Sequence, residues 1–191
     1  LEPFARAAEE GRLALHLGTL RVVEGWLDIY AAGLAQRSSS NNNGGPSPDQ
    51  PVDAAALAFG WGTNEYMRSR GGYGVTLECG QHDDPAAPGV AHAAIHAALR
   101  LLGMVAPAGS AEPPRPELLR LVSVTDRAHA QDRFVREWAT FDAVAAGQPI
   151  ARRADGTVLA AERDGFIVFP NPEALAGTEW FYFAVASDRR L

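Results

Sequence analysis

The chain changes character at Ala106–Pro116, a segment rich in proline, glycine and small residues. Such a composition is typical of a boundary between domains. Beyond it, short apolar runs alternate with glycine-containing turns, which predicts a series of short β-strands. These predicted strands are Leu118–Thr125, Gln148–Arg153, Thr157–Ala161 and Phe166–Phe169. We therefore predict an α/β domain over residues 1–108, followed by a small all-β domain over residues 117–191.

The first part of the chain combines helical and strand patterns. Pro3–Gly18 predicts a helix, and Thr19–Val23 predicts a short strand. Gly74–Cys79 is a compact apolar run between glycines, which predicts a buried strand. The helix pattern of Gly89–Gly103 follows it after a polar loop, as in an α/β unit. Residues 38–50 are almost free of apolar side chains and rich in turn formers, so we predict a mobile surface loop there.

Composition excludes several classes of protein. The 191 residues are 47% hydrophobic, enough for a folded core, and carry a net charge of −6, which argues against a nucleic-acid partner or an anionic membrane surface. All 17 basic residues are Arg, so Walker A loops, Schiff-base chemistry and attachment of biotin or lipoate are excluded. One cysteine and no long apolar run predict a cytoplasmic protein. Because the chain opens at Leu1 without a methionine, a targeting segment upstream is left open.

Glu78 is the strongest candidate for a catalytic group. It ends the apolar run and is followed by Cys79 and Gly80. A carboxyl group withdrawn from water has its pKa raised toward neutrality, which suits a general base that later acts as an acid. A structural role remains the alternative, in which Glu78 caps the next loop or pairs with an arginine. Cys79 is a poor nucleophile candidate, since a neighbouring carboxylate disfavours the thiolate.

The loop after Glu78 contains possible metal ligands. His82 together with Asp83 or Asp84 has the right donor atoms. Adjacent residues in a turn seldom converge on one ion without ligands from elsewhere. The alternative is a helix-entry loop whose Asp side chains lie near the positive end of the helix.

Two further histidine patterns are present. His92 and His96 have the spacing that lets two imidazoles on one helix share a zinc ion, but Arg100 continues the same stripe, so a solvated polar face is favoured. His129 and Asp132 also have a ligand-like spacing. They lie in a charged run, which favours a surface loop.

Two segments resemble the succinylglutamate desuccinylase/aspartoacylase family, whose members are relatives of zinc carboxypeptidases. Tyr73–Gly103 is similar to the family's strand ending in Glu-x-Gly, its proline-containing loop and the helix that follows. Phe141–Ala184 is similar to its small β domain, which closes over the pocket. The resemblance implies an incomplete zinc-carboxypeptidase-like α/β domain followed by a small all-β domain.

The same resemblance implies a zinc-dependent hydrolase that cleaves an amide bond in an N-acyl amino acid or a similar small substrate. It assigns Glu78 as the general base and acid. The family holds zinc with a His-x-x-Glu pair and a later histidine, and none of the five histidines here has Glu three residues on. The implied ligands fall before Leu1, so we expect no zinc ligands in this chain and little or no activity from it alone.

Two other functional interpretations remain open. One is a non-catalytic small-molecule-binding or interaction module, suggested by hairpins around 151–170 that resemble a biotinyl or lipoyl carrier. The other is an inert scaffold that keeps Glu78 for structural reasons. For the hydrolase we expect a small N-acyl substrate, no nucleic-acid or membrane partner, and possible homo-oligomers, since an incomplete sheet leaves apolar surface uncovered.

Overall fold

The computed structural model describes residues 5–41, 62–81, 83–106, 115–189 and 191. The described helices are α1 (Ala7–His16), α2 (Trp26–Asn41), α3 (Thr63–Ser69) and α4 (Ala87–Leu101). The described strands are β1 (Arg21–Glu24), β2 (Glu117–Asp126), β3 (Arg133–Phe134), β4 (Ala143–Val144), β5 (Pro149–Arg152), β6 (Val158–Ala160), β7 (Gly165–Val168) and β8 (Glu179–Ala186).

The chain divides into two compact units that interleave along the sequence. The first unit comprises residues 1–22, 61–118 and 188–191, and the second comprises residues 23–60 and 119–187. The predicted limits at 1–108 and 117–191 stay a prediction. In the structure, α2 lies in the same unit as most of the C-terminal strands.

The first unit is built on α1 packed against α4. Glu9 and Glu10 lie in the first turn of α1 and His16 in its last, which suits the helix dipole. Gly18 follows the helix with a φ of +74°, the left-handed conformation that glycine adopts without strain. The buried side of α4 includes Ala94, whose small side chain permits close helix packing.

The second unit is built on antiparallel strands. One sheet has the order β1-β2-β8-β7-β4, and the other has the order β3-β5-β6. β8 lies between β2 and β7, and both neighbours are antiparallel to it. Helix α2 lies against β2, since a Cβ on Gly33 would lie 3.1 Å from the side chain of Val124. Both strands that pair with β8 therefore belong to this unit.

The hydrophobic core of the second unit lies on both faces of β8. Phe181 and Phe183 belong to one buried cluster, and Tyr182 and Ala184 belong to another. This alternation follows from the two-residue period of a strand. The first cluster also contains the buried aromatic residues Trp138 and Trp180, and its remaining members come mainly from β4 to β7.

Most of the predicted elements are confirmed. The helices expected over Pro3–Gly18 and Gly89–Gly103 correspond to α1 and α4, and the four strands expected after residue 117 correspond to β2, β5, β6 and β7. A mixed α/β architecture is therefore confirmed at this coarse level. No helix among the described residues is long and apolar enough to cross a membrane.

Two local predictions were wrong. Gly74–Cys79 forms no strand, although its side chains alternate between half-buried Val75 and Leu77 and exposed Thr76 and Glu78. The period is that of a strand, but among the described residues no neighbouring strand pairs with it. Ser38–Asn41 belong to α2 and not to a loop, and residues 42–50 lie outside the described residues.

Candidate functional site

Glu78 lies in a segment without regular secondary structure, residues 72–81, between α3 and α4 of the first unit. Its side chain is exposed, which corrects the expectation of a carboxylate at the end of a buried strand. No hydrogen bond or ion pair joins the Glu78 carboxylate to another residue in the described part of the chain. Its catalytic role stays a prediction.

The start of the Glu78 segment is fixed by a fully buried carboxylate, that of Glu10 on α1. Arg68 donates to both of its oxygens, with Nη2 at 2.6 Å from Oε1 and Nε at 3.1 Å from Oε2. The backbone N–H of Gly74 donates to the same Oε2 at 3.3 Å. A buried charge is tolerated when it is paired and hydrogen-bonded in this way. Glu10 therefore ties α1, α3 and the segment together.

Two side-chain contacts support the same stretch. The guanidinium of Arg6 lies over the ring of Tyr73, 4.6 Å from its centre, in a cation–π contact. Asn64 at the start of α3 donates to the hydroxyl of Thr76 at 3.0 Å. Residues 73, 74 and 76, on the approach to Glu78, are thus held by groups on α1, on α3 and on the residue just before α1.

The end of the segment turns tightly into α4. Gly80 has a φ of +129°, and a Cβ there would lie 2.8 Å from Oδ2 of Asp84. The other oxygen of Asp84 accepts a hydrogen bond from the N–H of Ala86 at 2.8 Å, just before α4 begins. Asp84 therefore supports the helix entry, as in the alternative interpretation of this loop. Asp83 is exposed, and His82 lies outside the described residues.

His92 and His96 lie on one face of α4 with their rings close together. The ring centres are 4.5 Å apart, and the ring planes are inclined at 48°. His92 is exposed, whereas His96 and Arg100 are half-buried. The stripe is therefore partly withdrawn from solvent.

The loop predicted at His129 and Asp132 is present, but the side chain of Asp132 is buried and does not lie on the surface. Its oxygens accept hydrogen bonds from Nη1 of Arg153 at 2.7 Å and from the N–H groups of Ala154, Ala128 and His129 at 2.8–3.1 Å. Burial alone would raise the pKa of Asp132, but these donors outweigh it and lower the pKa to about 2. His129 itself is exposed. Asp132 therefore stabilises the loop that contains His129, and the two side chains do not act as ligands of one ion.

A polar network that sequence patterns did not indicate lies in the second unit. Arg37 on α2 donates to Asp126 at 2.9 Å and to Glu179 at 3.2 Å, and the hydroxyl of Tyr182 donates to Glu179 at 2.5 Å. Burial, followed by this hydrogen bond with the carboxylate, raises the pKa of Tyr182. The partners are 89 and 142 residues from Arg37, so no local spacing could have revealed them.

The family resemblance implies a zinc ion, which needs at least three protein side chains that converge on it. No group of three or more His, Cys, Asp or Glu side chains that could hold an ion occurs among residues 5–41, 62–81, 83–106, 115–189 and 191. The described donor set therefore does not fit a zinc site of the structural or catalytic type.

No protein-family model matches the chain, and no curated protein does. Among solved structures, it is similar to succinylglutamate desuccinylase from Vibrio cholerae, with 19% identity and a TM-score of 0.47. It is also similar to the protein of that name from Vibrio parahaemolyticus, with 19% identity and a TM-score of 0.45. Each match covers 58% of this chain and 32% of the other. The matched part of the chain thus spans about a third of the length of each of these structures.

Proposed function

We propose that the chain is the C-terminal portion of a hydrolase of the succinylglutamate desuccinylase/aspartoacylase type, which cleaves an amide bond in an N-acyl amino acid or similar small substrate. The observation that carries this proposal is the state of Glu78. Its carboxylate is exposed and has no partner among the described residues, while the N–H of Gly74, four residues before it, is held by the buried Glu10. A general base needs free oxygens, and further protein that covers Glu78 would supply the withdrawal from water that also suits this role.

Three other carboxylates in the described part of the chain have structural roles. Glu10 and Asp132 are buried and bound to arginines, and Asp84 supports the start of α4. The structural alternative for Glu78 required a cap or an arginine pair. Asp84 forms the helix-entry contact, and Arg68 binds Glu10 and Glu65. Neither Asp84 nor Arg68 therefore gives Glu78 the structural role of a cap or an arginine partner.

In the proposed reaction, the carboxylate of Glu78 accepts a proton from the attacking water as the water oxygen bonds to the amide carbon. The carbon–nitrogen bond then breaks, and Glu78 returns the proton to the departing amine. The exposure of Glu78 means that further protein must cover it for such a transfer to be shielded from bulk water. We propose that residues outside this stretch supply that cover and the metal site, so chain 1–191 alone has little or no activity.

The test compares chain 1–191 with the same chain preceded by the residues that its gene encodes upstream. Both are assayed against a panel of N-acyl amino acids, and Glu78→Gln is introduced into the longer protein. We expect turnover only from the longer protein and a fall in kcat of about 10²- to 10⁴-fold in the variant, the usual contribution of a general base.

The matched control is Glu162→Gln, an exposed carboxylate in the second unit, which should leave kcat unchanged. Turnover by Glu78→Gln equal to that of the parent contradicts the assignment of Glu78. Absence of hydrolysis across the panel contradicts the hydrolase.

The second candidate is a module that binds small planar or apolar molecules, favoured by an aromatic group in the second unit. Trp26 stacks on Tyr182 with ring centres 4.9 Å apart, and Phe169 meets Trp26 edge-on at 6.0 Å. Trp26 is 42% exposed and Phe169 is 41% exposed, unusual for aromatic rings of this size. This candidate is favoured if the longer protein hydrolyses no N-acyl amino acid but binds a small planar or apolar molecule, and if Trp26→Ala removes that binding.

A further inference from the structure

The imidazole pair on α4 has a geometry that the spacing of its residues alone does not fix. Residues four apart on a helix are neighbours, but each ring can rotate away from the other into solvent. Here the ring centres of His92 and His96 are 4.5 Å apart. Both rings therefore occupy the same small volume above one turn of the helix.

That separation can be compared with what a shared metal ion requires. With metal–nitrogen bonds of about 2.1 Å, an ion lies about 3.2 Å from the centre of each ring that binds it. When the nitrogen–metal–nitrogen angle is a right angle, the two ring centres are therefore about 4.5 Å apart. A tetrahedral angle would place them about 5.2 Å apart. The observed distance matches the right-angle arrangement. Right-angle coordination by nitrogen and oxygen is typical of Ni²⁺ and Cu²⁺.

We propose that His92 and His96 form a two-histidine binding site for a divalent transition-metal ion with right-angle coordination, of the Ni²⁺ or Cu²⁺ class. Solvent water completes the coordination, because His92 is exposed and leaves the outer positions open. This site is separate from the proposed hydrolytic chemistry and does not depend on it. It uses none of the residues that hold the Glu78 segment.

The surroundings of the pair allow an ion to approach. The neighbouring Ala93 is exposed and has a small side chain, and Pro88 and Gly89 on the preceding turn are exposed as well. Arg100, one turn further along, is half-buried and carries a positive charge that opposes the ion. Water around the exposed His92 screens part of that repulsion, so the charge lowers the affinity without removing either ligand.

The experiment titrates tag-free chain 1–191 with Ni²⁺ by isothermal calorimetry. The wild-type chain should bind one Ni²⁺ at this site. His92→Ala and His96→Ala should each weaken binding by about tenfold or more, because the second imidazole binds intramolecularly once the first is attached. The double variant gives the binding that does not depend on the pair. Circular dichroism confirms that α4 remains helical in each variant.

Two controls show whether binding depends on the spacing of the two histidines or only on the number of histidines in the chain. His16→Ala removes an exposed histidine from the end of α1 and should leave the affinity unchanged. His92→Ala with Gly89→His keeps two histidines on α4 but places them seven residues apart, about 10 Å along the axis, so their rings cannot both lie above one turn of the helix. A Cβ at Gly89 meets no atom within 4 Å, so the substitution fits. This variant should bind as weakly as His92→Ala.

The proposal is overturned if the wild-type chain binds no Ni²⁺. It is equally overturned if either single variant, or the variant with displaced histidines, binds Ni²⁺ as tightly as the wild type. None of these outcomes depends on hydrolysis by the longer protein.

Discussion

Asp132 shows how one residue keeps its charge inside the second unit. Its side chain is 1% exposed, yet four hydrogen-bond donors converge on its two oxygens. Three of these donors are backbone N–H groups from two separate loops, and the fourth is the guanidinium of Arg153. The loop around residue 129 and the turn after β5 are therefore held by a single carboxylate.

Asp132→Asn should destabilise the second unit. The substitution removes the charged partner of Arg153 and replaces one accepting oxygen with an NH2 donor, so we expect a loss of about 2–4 kcal/mol in the free energy of unfolding. Urea unfolding followed by tryptophan fluorescence measures it, because Trp138 and Trp180 lie in the core of this unit. Glu162→Gln serves as the exposed control, and an unfolding free energy in Asp132→Asn equal to that of the wild type would contradict the role given to this side chain.

The same residue predicts a dependence of stability on pH. The pKa of Asp132 falls from its ordinary value of 3.8 in the unfolded chain to about 2 in the folded one, a difference worth about 2 kcal/mol. This stabilisation is present above pH 4 and is lost as the pH falls toward 2. The gap in stability between the wild type and Asp132→Asn should therefore narrow over that interval, and a constant gap would contradict the assignment.

At the scale of elements, the pairing of β7 with β8 depends on a glycine. A Cβ on Gly165 would collide with the backbone carbonyl oxygen of Ala184 and would lie 2.6 Å from the ring of Phe183. Neither neighbour can move without disturbing the central strand. A side chain at this position is therefore incompatible with the register in which Phe166 faces Ala184.

Gly165→Ala should destabilise the protein by about 2 kcal/mol or more, through overpacking against fixed backbone. Gly89→Ala on α4 is the opposite case, because its Cβ meets nothing within 4 Å. It should stabilise the protein by about 0.5–1 kcal/mol, since alanine favours the helix and restricts the unfolded chain. Chemical denaturation of both variants measures the two changes in the free energy of unfolding. An unchanged free energy of unfolding in Gly165→Ala would contradict the packing argument.

At the scale of the whole chain, the two units differ in how much apolar surface they bury. Both hydrophobic clusters among the described residues belong to the second unit. In the first unit, Ile95 is 60% exposed and Met104 is 69% exposed, together with Leu20, Tyr66 and Leu102. An exposed apolar surface of this kind favours association.

Chain 1–191 should therefore self-associate. Sedimentation velocity over a range of concentrations should show an average mass that rises with concentration. Ile95→Lys combined with Leu102→Lys should lower that mass, because one charge on α4 and one just after it oppose burial of the surface. Val158→Lys, which alters an exposed apolar residue of the second unit, is the control. A chain that stays monomeric at every concentration would contradict the prediction.

The sequence by itself determined the elements whose signals are local. The helices α1 and α4 follow from apolar periodicity and terminal residues, and the strands β5 to β7 follow from alternating runs closed by glycine turns. Such patterns depend on residues within one or two turns of each other. The same local signal failed at Gly74–Cys79, because a strand also needs a neighbouring strand, which no local pattern supplies.

Only the tertiary structure decided which carboxylates are buried and which are free. Glu10 is buried because Arg68, 58 residues away, pairs with it, and Asp132 is buried because Arg153, 21 residues away, does. Glu78 sits in a more apolar stretch than either and is nevertheless exposed. Burial of a charge depends on partners distant in sequence, and their positions are set by the packing of whole elements.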